Sequence, residues 1–591
     1  MSECTLLSGN EAIALGAHLA GVHFATGYPG TPSTEILEAL AQGDYEAVRV
    51  QWSINEKVAL EVGIGASLAG RRTLVTMKHV GVNVAADPLM TLTYMGVKGG
   101  LVLVTADDPG MHSSQNEQDN RNYARFAKIP VLEPSDSQEA CDMMNTAFEL
   151  SERFDTPVLL RTTTRISHSK TPVTPGQRTE SPVEPGFTKD PSKSVMIPAY
   201  ARGRRLVVEE RSGQLAKLAE ESVDAPPHLS RVEMRSPDVG IITGGIAYQY
   251  VREALPDASI FKLGMTYPLP MEAIRSFAQM VDRLYVVEEL DPFWETEISA
   301  AGIEVTPTGL SSVGELGAPA ILQTIGAGDS IVGAEPAGGI PVRPPVLCPG
   351  CPHRGVFFTL RRGGYAVTGD IGCYSLGVLP PLEAMHTCIC MGASVGAAQG
   401  IEKALGEDAP NTVAVIGDST FLHSGMTGIA DAFFNGSNMT TLILDNYTTA
   451  MTGHQGNPTA GYDVYRSEAP RLEFEPLVRG LGVDDVVRVN PYDMQALESA
   501  LKSAQETRGP SVIIVEGACA LLPWAEHSPP YRVTDECIGC GMCLRLGCPA
   551  LRRKGTGKRD QVLIAADLCT GCGLCAQVCP QSAIVTEGDD Q

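Results

Sequence analysis

The sequence lacks any stretch of about 20 uncharged apolar residues, the length a helix needs to cross a bilayer, so no membrane-spanning helix is expected. It lacks an excess of positive charge. Its 45 Lys and Arg face 69 Asp and Glu, and the net charge of −24 argues against nucleic acid or an anionic lipid surface as partner. It also lacks a secretory signature: no basic lead-in opens the chain, and Glu11 and His18 interrupt the first apolar run. Cysteine, by contrast, is plentiful. Sixteen cysteines in a chain of this kind suit metal ligation in a reducing cytoplasm better than disulfides. With 591 residues, 43% of them hydrophobic and 19% charged, the chain is long enough for several ordinary globular domains.

Eight of the cysteines fall in the last 55 residues, in two runs. Cys537, Cys540, Cys543 and Cys548 precede Pro549; Cys569, Cys572, Cys575 and Cys579 precede Pro580. Three thiolates at CxxCxxC spacing wrap one iron–sulfur cube while the distant Cys-Pro completes the other, as in bacterial ferredoxins. The ligand sets are then Cys537, Cys540, Cys543 with Cys579, and Cys569, Cys572, Cys575 with Cys548. Zinc sites more often pair two CxxC units. Two [4Fe–4S] clusters follow, and with them single-electron chemistry. Four residues separate Cys543 from Cys548 where the simple pattern has three, so that loop is expected to differ locally.

Residues 1–170 alternate glycine-rich, helix-like stretches with short apolar runs such as 74–77 and 101–105, the pattern of buried parallel strands. Residues 171–187, rich in Pro, Thr and Glu, read as a linker, and 171–236 as linker and crossover. A second α/β unit is expected over 237–332. A Gly/Pro stretch at 333–345 separates it from a third α/β block over 346–525, and the cysteine-rich domain occupies 530–591.

In the third block an apolar run, 412–416, ends in Gly417-Asp418-Ser419, and another, 441–444, ends in Asp445-Asn446-Tyr447-Thr448. Neighbouring strand ends are where α/β sheets bind ligands, and together these could offer hard oxygens to Mg²⁺ and its phosphates. Gly-Asp-Ser alone is a common turn; its pairing with Asn446, 28 residues on, is more specific. The segment 391–394 reads as a helix start, with Gly392 among N–H groups that could face a diphosphate, although small residues also suit tight packing on a sheet. Ser53-Ile54-Asn55-Glu56 reads as a capping box in which Glu56 caps the next helix. Thr31 lies in the turn Gly27-Tyr28-Pro29-Gly30-Thr31-Pro32-Ser33, where threonine commonly serves the backbone. The pair Cys348 and Cys351 is by itself a redox pair, half a zinc site or incidental. Cys388 and Cys390 read as buried thiols, and Cys4 and Cys141 as core or incidental ones. Lys78-His79 and Thr452-Gly453-His454-Gln455 are candidate active-site loops.

These motifs resemble the thiamine-diphosphate enzymes, whose GDG motif is followed some thirty residues later by Asn. Over the whole chain, CPGCPHRG at 348–355, TAMTGHQ at 449–455 and the fused tail look most like the α subunits of the indolepyruvate group of 2-oxoacid:ferredoxin oxidoreductases. The resemblance implies a multidomain α/β fold: two thiamine-diphosphate-binding domains, a transketolase-C-like domain and a C-terminal ferredoxin-like α+β domain. It implies thiamine diphosphate as cofactor, with Mg²⁺ held by Asp418, Asn446 and the Thr448 carbonyl; Ser419 replaces the motif's last glycine. It reassigns Glu56 from cap to the carboxyl that activates the aminopyrimidine ring, brings Thr31 to the substrate and offers His454 for proton transfer. Cys348, Cys351, Cys373 and Cys519 fill the positions of a proximal [4Fe–4S] cluster.

The implied reaction is oxidative decarboxylation of a 2-oxoacid with coenzyme A, passing two electrons to ferredoxin, with a smaller β subunit as partner. Ala106-Asp107-Asp108-Pro109-Gly110-Met111 stands where pyruvate enzymes carry a carboxylate-reading Arg, and Met451 where they place Asn. The carboxylate is thus expected to be read differently, and Met suits a flat aromatic side chain. A basic island of Arg552, Arg553, Lys554, Lys558 and Arg559 offers an acidic ferredoxin a docking point, or is simply a solvated loop. The alternatives are a non-oxidative decarboxylase, which needs no electron route, and a non-catalytic electron-transfer subunit.

Overall fold

The computed structural model describes residues 4–43, 45, 47–326, 344–409 and 411–586. The chain divides into two compact units, Met1–Ile340 and Pro341–Gln591. Most of the expected Gly/Pro separator at 333–345, the end of the second α/β unit and the last five residues lie outside the described residues.

The first unit is built on a seven-stranded sheet in the order Met265–Tyr267, Val131–Leu132, Val158–Thr163, Leu101–Asp107, Thr73–Lys78, Phe24–Gly27, Arg49–Trp52. All pairs are parallel except the first. The central strand Leu101–Asp107 is buried at every position, which is why it reads as one unbroken apolar run rather than an alternation. Parallel strands need crossover connections, and helices Glu56–Leu68, His79–Met95 and Ser137–Phe154 supply them. A smaller sheet follows, in the order Leu284–Val287, Ser236–Gly244, Ala258–Leu263, Ser230–Glu233, with only the last strand antiparallel.

The stretch 171–236 is more structured than its composition suggests. Lys170–Val173 pairs with Thr5–Ser8 in a two-stranded ribbon, where Pro172 is tolerated because an edge strand does not need every N–H. Pro198–Glu221 is a 24-residue helix that opens on proline, the position where the missing N–H costs nothing. Ser230–Glu233 is the edge strand of the smaller sheet, so that sheet starts before residue 237.

The second unit holds a six-stranded, wholly parallel sheet: Thr387–Cys388, Ala366–Gly369, Thr412–Gly417, Thr440–Asp445, Ser511–Glu516, Asp485–Val489. Its central strands Thr412–Gly417 and Thr440–Asp445 are adjacent, so Asp418 and Asn446 emerge side by side at one sheet edge. The cysteine-rich tail is two antiparallel ribbons, Tyr531–Val533 with Ile584–Thr586 and Leu551–Arg553 with Val562–Ile564, linked by cysteine-bearing turns. Cys388 and Cys390 are exposed, not buried, because they lie on and just beyond the sheet's short edge strand; Cys141 is buried and Cys4 exposed.

Candidate functional site

In the first unit, three strand ends bring the predicted residues together. The turn after Phe24–Gly27 is fixed by its own bonds: Gly30 N–H donates to Thr34 Oγ1 (2.9 Å), Ser33 Oγ to Gly30 O (2.9 Å) and Asn10 Nδ2 to Pro32 O (2.6 Å). Ser113 Oγ donates to Thr31 O (3.1 Å), so the backbone of Thr31 is held.

Glu56 is the first residue of helix Glu56–Leu68 and is 4% exposed. The capping-box expectation is corrected here. Asn55 is the cap, its Oδ1 accepting from Val58 N–H (2.8 Å), and the Ser53 hydroxyl bonds Thr26 Oγ1 instead (2.9 Å). The helix starts two residues later than a Ser53 cap requires, and the Glu56 side chain lies against Gly81. A Cβ on Gly81 would stand 2.6 Å from Glu56 Oε1, so glycine is what makes room for this carboxyl.

Lys78 ends strand Thr73–Lys78 beside both groups. Its stem packs on Gly30, whose added Cβ would lie 3.0 Å from Lys78 Cγ, and its Nζ donates to Ser113 O (3.0 Å). Burial pulls this ammonium down to about 8, against the opposing pull of the Asp108 and Glu56 carboxylates. His79 is fully buried with Nε2 at 3.1 Å from Asn116 O, and desolvation lowers its pKa. In the Ala106–Met111 stretch, Asp107 accepts from Arg161 Nε (2.6 Å) and Asp108 from Ser114 Oγ (2.6 Å) and Thr164 Oγ1 (2.7 Å), so both carboxylates are committed within the protein.

In the second unit, Asp418, Asn446 and Thr448 converge. The Asn446 amide faces Thr448 O and Asp418 Oδ2, and an amide turned to donate reaches them at 2.8 and 3.2 Å. With its oxygen inward, the same amide makes a cluster of three oxygens, an arrangement that a divalent cation stabilises. Burial raises the Asp418 pKa, and burial followed by the Asp418 charge raises that of Asp445 at the neighbouring strand end. A bound cation would reverse that penalty. The donor set therefore fits Mg²⁺.

Gly392 does not fit its expected role. It precedes helix Ala393–Leu405 with φ +88, but its N–H and that of Ser394 donate to the Asp370 carboxylate at 2.9 and 3.0 Å. The exposed helix start has been satisfied by a side chain 22 residues upstream, and that negative charge opposes a phosphate. His454, at φ +64, places Nε2 3.7 Å from Cys519 Sγ.

Several cysteines lie close enough to act on one another. Burial pushes the Cys351 and Cys373 thiols up to about 12 and about 11; Cys348 and Cys373 add to the first, Cys519 and Cys348 to the second. Cys543 feels Cys537, Cys540 and Cys579, whereas Cys575 feels Cys572, Cys569, Cys548 and then Cys543. Cys548, Cys569, Cys572 and Cys575 line one largely apolar cavity. Backbone N–H groups also reach sulfur, Tyr531 to Cys569 (3.5 Å) and Ala583 to Cys579 (3.3 Å). Among the described residues no three Cys, His, Asp or Glu side chains close on a single-ion point. The extra residue after Cys543 is absorbed by Gly547 at φ +66, following the turn Cys543–Leu546. The basic island loses Arg553, which turns inward to Gly539 O (3.2 Å) and Asp560 O (3.0 Å).

The sequence comparisons agree with this layout. The family described as pyruvate flavodoxin/ferredoxin oxidoreductase, thiamine diphosphate-binding, matches residues 15–207. The C-terminal binding domain of thiamine pyrophosphate enzymes matches 370–515, and a 4Fe-4S dicluster domain matches 536–583. Together they define an oxidoreductase that uses thiamine diphosphate and iron–sulfur clusters. The chain is 40% identical over 626 residues to the indolepyruvate oxidoreductase subunit IorA of Archaeoglobus fulgidus, covering 98% of this chain and 97% of that protein. It is 40% identical over 641 residues to the subunit of the same name from Pyrococcus horikoshii, covering 99% and 98%. A shorter likeness, 29% over 165 residues and 27% of this chain, links it to ketoisovalerate oxidoreductase subunit VorB of Methanothermobacter thermautotrophicus, 47% of which is covered. The chain belongs to the 2-oxoacid:ferredoxin oxidoreductase family. Among its described residues no helix is long and apolar enough to cross a membrane.

Proposed function

We propose that this chain is the thiamine-bearing subunit of a cytoplasmic enzyme that oxidatively decarboxylates an aryl 2-oxoacid of the indolepyruvate type. The substrate, coenzyme A and two oxidised ferredoxins would give acyl-CoA, CO₂, a proton and two reduced ferredoxins. A smaller β subunit would complete the enzyme. One observation carries this reading: the chain combines a convergent oxygen set at Asp418, Asn446 and Thr448 with three cysteine neighbourhoods, and only an oxidative reaction needs both.

Bound thiamine diphosphate would supply the nucleophile and the electron sink that decarboxylation requires, and the clusters a one-electron relay. Asp418, Asn446 and the Thr448 carbonyl would hold Mg²⁺, with Gly417 and Ser419 shaping the turn around it. Glu56, buried and backed by Gly81, would keep its carboxyl on the aminopyrimidine ring nitrogen and exchange a proton there. Thr31 would donate its hydroxyl to the substrate, and Lys78, the cation beside it, would take the carboxylate in place of the arginine absent from 106–111. His454 is better placed to serve Cys519 than to move substrate protons.

The test is anaerobic viologen reduction by this chain co-expressed with its candidate small subunit. Indolepyruvate, phenylpyruvate, pyruvate and 2-oxoglutarate would each be supplied with and without coenzyme A. CoA-dependent reduction with the aryl substrates is expected. Aldehyde and CO₂ without dye reduction would instead establish a decarboxylase. Silence with all four from a cluster-replete preparation would point to an electron-transfer role or to another substrate.

A further inference from the structure

Arg354, in the first turn of helix His353–Gly363, is 3% exposed, yet no Asp or Glu pairs with it among the described residues. Its guanidinium spends its donors on backbone carbonyls: Nε on Cys348 O (3.0 Å), Nη1 on Leu546 O (2.9 Å) and Nη2 on Leu347 O. Two of those acceptors lie at the Cys348–Cys351 loop, and the third lies in the turn between Cys543 and Cys548. Arg354 also lines the cavity edged by Cys548, Cys569, Cys572 and Cys575. Close backbone contact accompanies the fork. A Cβ on Gly350, at φ +67, would stand 2.1 Å from Thr570 Oγ1, while Tyr492 OH donates to Gly350 O (2.8 Å) and Gln577 Nε2 to Tyr492 O (2.6 Å).

A guanidinium remains charged in a protein, and a buried cation without a counter-ion is costly. Neutral thiols do not supply one. The thiolates and net negative charge of two ligated clusters do.

We propose that Arg354 is a positioning residue shared by two clusters, the one held by Cys348, Cys351, Cys373 and Cys519 and the one held by Cys548, Cys569, Cys572 and Cys575. It is their common counter-ion, raises both reduction potentials and ties the tail to the loop that feeds it electrons. This rests on the cluster-bearing enzyme under Proposed function and on the ligand sets expected from the sequence. Because reduction makes each cluster more negative, the fixed cation favours the reduced form of both; the Cys537, Cys540, Cys543 and Cys579 cluster lies outside its bonding.

The test is an EPR-monitored redox titration of the cluster-replete complex, with signals assigned through Cys373→Ser and Cys579→Ser. Arg354→Gln should make both flanking clusters harder to reduce by about tenfold in each equilibrium, equivalent to ~59 mV for a one-electron couple. The third cluster should move far less, and Arg354→Lys, which keeps the charge, should restore both potentials. Unmoved potentials in Arg354→Gln, or an equal shift of all three clusters, would overturn the proposal. Where Arg354→Gln fails to load iron, Arg354→Lys decides: potentials near wild type support the counter-ion, and a tenfold shift in both overturns it. Iron for only two clusters in the wild-type protein would instead remove the proximal-cluster assignment itself, and the shared counter-ion with it.

Discussion

Gly81 offers a way to move the Glu56 carboxyl without removing it. It lies in the first turn of helix His79–Met95, and an added Cβ would stand 2.6 Å from Glu56 Oε1, 2.7 Å from Cγ and 2.9 Å from Cδ. The closest approach is about 0.8 Å inside ordinary van der Waals contact. Glu56, buried, cannot swing into solvent to relieve it. Gly81→Ala should therefore displace the carboxyl by roughly that distance. A ~1 Å misplacement of a catalytic group costs about 10²-fold in rate, so kcat should fall by about two orders of magnitude while the KM for the 2-oxoacid changes little. Stability should suffer less. Alanine is favoured over glycine by up to ~1 kcal/mol in a helix, against ~1–3 kcal/mol for overpacking, a net loss of ~0–2 kcal/mol. The assay is steady-state viologen reduction, with thermal denaturation and cluster absorbance followed on the same preparations. Because both substitutions act through one carboxyl, Gly81→Ala added to Glu56→Gln should slow the enzyme no further than Glu56→Gln alone. A Gly81→Ala kcat within about threefold of wild type, or fully multiplicative losses in the double variant, would refute the placement of Glu56.

Lys78→Met should raise the KM for 2-oxoacids by about 10–100-fold, the worth of a charge-assisted hydrogen bond, and leave thiamine diphosphate binding intact. Since burial holds the Lys78 ammonium at about 8, it is charged below that pH and neutral above, so kcat/KM should fall as pH rises through about 8; a profile flat to higher pH would remove Lys78 from carboxylate binding. Asp418→Ala should weaken Mg²⁺-dependent thiamine diphosphate binding, measured by titration calorimetry, by about 10²-fold without changing iron content. Cys579→Ser should abolish the EPR signal of the cluster carried by Cys537, Cys540 and Cys543 and spare the one carried by Cys548; loss of the latter would reverse the crossing.

What the sequence disclosed and what it hid divide along the length scale of the interaction. The 4Fe-4S domain is legible because CxxCxxC sets three donors within seven residues, and the proposed crossed partner needs only a chain that folds back, as Tyr531–Val533 does on Ile584–Thr586. Asp418 and Asn446 are legible because each follows a strand, and the two strands are neighbours. The capping reading of Glu56 failed on a two-residue boundary: Ser53 and Asn55 are both good caps, and Asn55 takes the cap while the Ser53 hydroxyl bonds Thr26. Gly392 was misread for the opposite reason, since the carboxylate that takes its N–H arrives from Asp370, on another strand end. The helix Pro198–Glu221 hid behind a polar composition whose few buried positions, Val208, Arg211, Leu215, Leu218 and Ala219, include a charged residue. Arg211 shows why: its guanidinium donates to Thr93 O and Asp155 O (both 2.7 Å), just as Arg354 donates to carbonyls six and 192 residues away. Backbone acceptors carry no side-chain signature. An arginine that binds them looks like surface charge until the fold is known, and in both units such arginines join segments that the sequence leaves apart.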